Sequence, residues 1–258
     1  MAIPSELYPE ERRLAILKRL NHTGRASVID LSQEFGVSEV TIRTDLQILS
    51  NQSLIVRTHG GAVPASRVPT LSLDARRLQQ PLEKDRIGAA AAGLVENGEA
   101  IFLDTSSTSL ALARHLDNHR DITVLTNSLA LAQVMLEMPS ITVVMAGGVL
   151  QRDTASLIGS EELELLCRFN IQKGFFGAHG LTEREGLTDV SAAEAEVKQT
   201  VIKMCRQVIA ILDATKWGRV GLASFANLED LNYIVTDCEA PENQVEITRN
   251  LGINIIMI

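Results

Sequence analysis

The chain has 258 residues, 45% of them hydrophobic, 22% charged and only 3% aromatic, with a formal net charge of −8. That balance excludes a disordered chain, a collagen-like repeat and a disulfide mini-protein, and the length allows one large domain or a small one joined to a medium one. The acidic excess is uneven: residues 1–60 hold seven Lys/Arg against seven Asp/Glu, so the whole −8 falls beyond residue 60.

Leu14, Leu17 and Leu20, with Ile16, recur at helical spacing behind Pro9, Glu10 and Glu11, which predicts a first helix ending near Asn21 and broken by Gly24. Ser27 caps a short second helix through Val28, Leu31 and Phe35 that Gly36 ends. Ser38 opens a third, whose Ile42, Leu46 and Leu49 share the inward face. Ser38, Glu39, Thr41, Arg43, Thr44 and Gln47 are left as candidate DNA contacts, because short polar and arginine side chains near the start of such a helix suit the major groove. Leu54 to Ala62 reads as a glycine-turned hairpin, a wing that sets Arg57 and His59 beside the DNA backbone. The competing reading, a packing module with solvated arginines, explains the cap and turn less well.

The runs Glu11-Arg12-Arg13, Ile16-Leu17, Val28, Asp30-Leu31, Val37-Ser38, Thr41-Ile42-Arg43, Asp45-Leu46 and Arg57 to Ala62 resemble the DeoR family of bacterial transcription regulators. One departure is Thr44, where that family commonly has a basic residue. Residues 61–82, punctuated by Pro64, Ser66, Pro69, Ser72 and Pro81, read as an extended linker between a winged helix-turn-helix domain (1–60) and a larger domain (83–258).

From Glu83 onward helices and β-branched runs alternate. Strands are expected at Ala100–Leu103, Ile122–Leu125, Ile141–Met145, Gly174–Phe176, Val208–Leu212, Tyr233–Val235 and Ile253–Ile258, with a long helix through Ala192 to Cys205. The fold class is therefore α/β with a mainly parallel sheet. Polar or glycine-rich residues stand at the strand ends: Asp104-Thr105-Ser106-Ser107-Thr108, Thr126-Asn127-Ser128, Gly147-Gly148, His179, and Asp213 with Lys216. Ligands of open parallel sheets bind outside the carboxyl ends of the strands, so these are the candidate ligand contacts. Hydroxyls and backbone N–H groups suit a phosphate, carboxylates and Asn127 suit sugar hydroxyls, and Lys216 supplies a point charge.

The resemblance continues through Leu103-Asp104, Ser107-Thr108, Thr126-Asn127-Ser128, Gly186-Leu187-Thr188, Glu194, Lys198, Asp213 and Lys216-Trp217-Gly218. It implies an effector domain similar in fold to ribose-5-phosphate isomerase, release from double-stranded operator DNA by a phosphorylated sugar, and Lys198 as a further ligand contact. Otherwise Glu194, Glu196 and Lys198 read as a charged helix face. Ser106 and His179 depart from the glycine and aspartate common in the family.

The alternative is a sugar-phosphate isomerase with a DNA-binding appendage, using Asp104 or Asp213 with Lys198 or Lys216. Residues 1–60 favour a regulator, most simply a repressor, over that enzyme. No catalytic residue, metal or cofactor is expected; His115 and His119 lack a third ligand, and Cys167, Cys205 and Cys238 are too scattered for a disulfide framework. The first twenty residues leave no room for a signal-peptide core, and no run approaches about 18 apolar residues, so a cytoplasmic protein away from membranes is expected. Specific DNA binding by a domain of zero net charge calls for two half-sites, hence a homodimer or homotetramer.

Overall fold

Pro9 at the first helical position and Glu11, whose carboxylate accepts the Tyr8 N–H at 3.1 Å, start helix α1 (Pro9–Thr23), which Gly24 ends in the left-handed conformation. The computed structural model describes residues 8–51, 55–58, 60–64, 72–159 and 161–258, and the chain divides into two compact units, Met1–Gln79 and Gln80–Ile258. In the first unit a two-residue strand β1 (Ala26–Ser27) leads into α2 (Val28–Phe35), whose Ser27 cap accepts the Asp30 N–H at 3.0 Å. Ser38 accepts the Thr41 N–H at 3.1 Å and opens α3 (Glu39–Asn51). Strands β2 (Ile55–Thr58) and β3 (Gly61–Pro64) form an antiparallel hairpin, and β1 pairs with the other edge of β3. Ile16, Leu20, Leu31, Ile42, Leu46 and Ile55 close the core of this unit.

Ile42, Leu46 and Leu49 are buried, as their spacing predicts. Leu14 is not: it is 61% exposed, because Ile16 and Leu20, one turn apart, define the buried stripe and Leu14 lies across the helix from it. Strand β1 has no signal of its own and exists through its partner. A β-carbon at Gly61 would overlap the Ala26 carbonyl, so glycine is what lets β1 and β3 approach.

The stretch expected to be an extended linker carries regular structure. β3 takes residues 61–64, α4 (Leu73–Arg77) forms behind Ser72, which accepts the Ala75 N–H at 3.3 Å, and Pro81 opens the next helix. Local helix signals, a serine cap and a proline at the first position, outweigh the spacing of prolines there. Ser66, Arg67 and Pro69 lie outside the described residues.

The second unit alternates α5 (Pro81–Ala92), β4 (Ala100–Leu103), α6 (Ser107–Ala113), β5 (Ile122–Thr126), α7 (Leu129–Met135) and β6 (Ile141–Met145). An antiparallel hairpin of β7 (Val149–Gln151) and β8 (Ser156–Ile158) follows, then β9 (Ile171–Phe176), β10 (Gly180–Thr182) and β11 (Gly186–Asp189). The chain continues through α8 (Ala192–Ile202), β12 (Cys205–Ile211), β13 (Ala223–Ala226), β14 (Tyr233–Thr236), α9 (Glu242–Asn250) and β15 (Asn254–Met257).

Seven of these strands make one parallel sheet in the order β15-β14-β12-β9-β4-β5-β6. Each overlaps an expected strand, although β9 begins at Ile171, three residues before the expected Gly174–Phe176. At its centre the Phe102 and Phe176 rings stack with centroids 5.6 Å apart. The chain runs outward from β4 to β6, then returns to β9 on the other side of β4 and runs outward again, so strand order reverses between β4 and β9. The antiparallel set β10-β11-β13 and the β7–β8 hairpin were not expected.

Candidate functional site

In the first unit the inward side chains of α3 fix what its outward ones can do. Asp45 is buried on α3, and its Oδ2 accepts from Arg12 Nε on α1 at 2.6 Å, with Arg13 NH1 3.7 Å from Oδ1. The opposite face exposes Glu39, Arg43, Thr44 and Gln47. Arg43 NH2 donates to Glu39 Oε2 at 3.2 Å, and Arg57 of β2 donates through NH1 to Gln47 Oε1, which ties the hairpin to the helix. Ser38 and Thr41 hold the helix start, their hydroxyl oxygens 2.9 Å apart. His59 lies outside the described residues.

The second unit concentrates buried charge where strand order reverses. Asp104, directly after β4, accepts through Oδ1 from Ser106 N at 3.1 Å and Ser109 Oγ at 2.5 Å, and through Oδ2 from Gly177 N, directly after β9, at 2.9 Å. Lys198 of α8, 4% exposed, reaches Asp104 Oδ2 at 2.9 Å, Asp189 Oδ2 at 2.8 Å and the Gly177 carbonyl at 2.8 Å. Its ammonium also lies 4.8 Å from the centre of the Phe225 ring. Burial alone would lower its pKa; the charges of Asp104, Asp189 and Glu194 outweigh that and hold it above the ordinary lysine value.

Lys198 therefore joins β4, β9, β11 and α8 from within, rather than presenting a free cation to a ligand. The reading of Glu194, Glu196 and Lys198 as one solvated face is also corrected. Glu194 is 3% exposed, its Oε1 accepting from Ser156 Oγ at 3.4 Å, and only Glu196 faces outward, because residues 194 and 198 share the side of α8 that packs on the sheet. Asp189 and Ser109 belong to this cluster and had no signal in the sequence beyond their residue types.

Other strand ends are held by the fold itself. Thr126 Oγ1 donates to the Leu103 carbonyl at 2.8 Å and accepts the Ser128 N–H at 3.1 Å, and Ser128 caps α7. Asn127 clamps the β8 strand, its Nδ2 donating to the Leu157 carbonyl at 2.9 Å and its backbone carbonyl accepting the Leu157 N–H at 2.8 Å. Gly148, at φ +127°, packs on Ile158 where a β-carbon would collide with backbone, so glycine there lets the chain enter β7 against the end of β8. Phe102, Asp104, Thr105, Asn127, Glu194 and Lys198 line one crevice too narrow for a water molecule. Ser107 and Thr108 are buried beside it in the first turn of α6.

At the neighbouring end of β12, Asp213 accepts through Oδ1 from Thr215 N at 3.1 Å and from the Thr215 hydroxyl. Its Oδ2 is buried without a hydrogen-bond partner among the described residues. Lys216, three residues on, is half-buried. A roomier cleft of about 240 Å³ lies between the β10 turn, Trp217-Gly218 and α9, mostly apolar and lacking such a charged cluster.

A model of the DeoR C terminal sensor domain matches residues 79–238, and one of the DeoR-like helix-turn-helix domain matches residues 12–68. The chain belongs to the DeoR family. It is 35% identical to the HTH-type transcriptional repressor GlcR of Bacillus subtilis, over 90% of this chain and 89% of that one. It is 30% identical to the Glycerol-3-phosphate regulon repressor of Escherichia coli strain K12, over 92% and 94%. Ribose 5-phosphate isomerase A from Methanocaldococcus jannaschii aligns over 52% of this chain and 53% of its own with a TM-score of 0.39 and 18% identity, a likeness too distant to bear on function. The named relatives are regulators, and the DeoR-family chain is a DNA-binding transcriptional regulator rather than an isomerase.

Of the two departures in the sensor domain of this DeoR-family chain, Ser106 has a visible side-chain role. Ser106 caps α6, accepting the Ser109 N–H at 3.0 Å and donating to Ser109 Oγ at 3.0 Å. His179 donates its backbone N–H to the Thr188 carbonyl at 2.9 Å, which places it at the entrance to the β10–β11 pair.

Proposed function

We propose that this DeoR-family regulator is a repressor of a sugar or polyol operon, released from operator DNA by a phosphorylated sugar bound at the carboxyl ends of the central strands. The observation that carries the ligand reading is the Asp213 carboxylate, 1% exposed with one oxygen unpartnered among the described residues. A buried acceptor left empty is costly, and a sugar hydroxyl is a donor that would satisfy it. Asp104, Thr105, Ser106, Ser107, Thr108, Thr126, Asn127, Ser128, Gly147, Gly148, His179 and Lys216 stand at the same strand ends. In this reading Asp213, Lys216, Thr105, Ser107, Thr108 and His179 meet the ligand, whereas Asp104, Thr126, Asn127 and Lys198 hold the walls in place. The repressor named for glycerol 3-phosphate supports a phosphorylated polyol as the class.

On the DNA side, Arg43, Thr44 and Gln47 of α3 read base edges, and Arg57 approaches the backbone from the hairpin. The protein acts in the cytoplasm as a homodimer or homotetramer, because helix-turn-helix proteins read paired half-sites and one unit without net positive charge binds weakly alone. None of the described helices is long and apolar enough to cross a membrane.

The test is fluorescence anisotropy of the full chain on labelled DNA from beside its own gene, titrated with a panel of sugar phosphates. One compound should displace the wild type, whereas Asp213→Ala should bind DNA equally and resist displacement by at least tenfold. Normal displacement of Asp213→Ala would remove Asp213 from the ligand site.

A further inference from the structure

On α3, Val40, Arg43, Thr44 and Gln47 follow one another at helical spacing and are all exposed, forming one outward stripe that begins in the first turn. Three of them are polar; Val40 is apolar and 72% exposed. Valine is a poor helix former there, and in water its methyl groups pack on nothing. The polar groups around it are engaged with one another, Ser38 with Thr41 and Glu39 with Arg43. Thr44 donates its hydroxyl proton to the Val40 carbonyl at 3.0 Å, which leaves its methyl group and an acceptor oxygen for an outside partner. Val40 and Thr44, one turn apart, thus make an apolar pair flanked by a guanidinium and an amide.

The major groove offers one apolar feature, the 5-methyl group of thymine, and the N-terminal residues of a recognition helix are those that reach base edges. We propose that Val40, with the Thr44 methyl beside it, is a specificity-determining contact that packs on a thymine 5-methyl group in each half-site. This rests on the reading of α3 as the operator-reading helix.

The experiment uses the full chain and duplexes recovered by selection from randomised DNA. Each thymine of the selected site is replaced in turn by deoxyuridine, which removes only the methyl group, and binding is measured for the wild type and for Val40→Ala. The wild type should lose roughly fourfold at one thymine, or two adjacent ones, per half-site, the worth of one buried methyl group. Val40→Ala should lose that sensitivity while discriminating at the remaining positions as before. Because Val40 is exposed, circular dichroism of the variant should match the wild type. Equal deoxyuridine sensitivity in both proteins, or none in the wild type, would overturn the contact. If selection enriched no sequence, the reading of α3 beneath it would fall instead.

Discussion

Burial by itself lowers the pKa of Lys198, and the three carboxylates around it more than offset that. Its folded pKa lies above the ordinary 10.5, so its contribution to stability is complete below 10.5 and lost only as pH climbs through the higher folded value. Lys198 therefore stays charged across neutral pH. Cys205 gives a nearer alkaline limit: burial pushes its thiol from 9.0 up to about 12. The unfolded thiol ionises first, so the neutral buried form contributes stability below pH 9 that fades between about 9 and 12. Urea midpoints for the wild type minus those for Cys205→Ala should fall between pH 8 and pH 10.5; a constant difference would contradict the shift. At pH 8 a thiol reagent should titrate the exposed Cys167 and Cys238 quickly and Cys205 slowly.

At the scale of elements, the buried Arg12–Asp45 pair decides how α3 sits on α1. Asp45→Ala breaks this buried ion pair and should destabilise the N-terminal unit by about 3 to 5 kcal/mol in urea denaturation. Replacing both partners, Arg12→Met with Asp45→Leu, should recover most of that loss, and failure to recover would mean that the pair holds more than its own charges. This role of Asp45 is not visible in periodicity, which marks apolar faces and is silent on a carboxylate turned inward. The same limit explains what could be read elsewhere. The seven sheet strands announce themselves through short apolar runs between helices, and the caps Ser27 and Ser38 through local chemistry, whereas the cap at Ser72 was hidden among the prolines of the expected linker. Strand β1, the β7–β8 hairpin and the contacts of Lys198 with Asp189 depend on partners distant in the chain. At the candidate ligand site the strand-end positions were legible, but which side chains are already engaged within the fold was not: Asn127 clamping Leu157 looks in sequence like Asp213 with its open oxygen.

At the scale of the whole molecule, regulation is a free-energy coupling between two sites, and linkage makes it reciprocal. If a sugar phosphate weakens operator binding by some factor, operator DNA must weaken binding of that sugar phosphate by the same factor. Ligand titrations followed through Trp217 fluorescence, with and without a saturating selected duplex, should return the ratio found by DNA titration. Unequal ratios would mean that a further equilibrium, such as a change of oligomeric state, intervenes.

The reversal of strand order between β4 and β9 also sets a schedule for synthesis. Asp104 and Gly177, hydrogen-bonded across the centre of the sheet, are 73 residues apart in sequence. The helices and hairpin of the N-terminal unit are complete in the nascent chain well before β9 exists to cover one side of β4. Long-range parallel pairing is slow, and domains tend to fold in the order in which they leave the ribosome. A chain released early, before residue 171, would carry a complete N-terminal unit attached to a sheet that lacks β9, β12, β14 and β15.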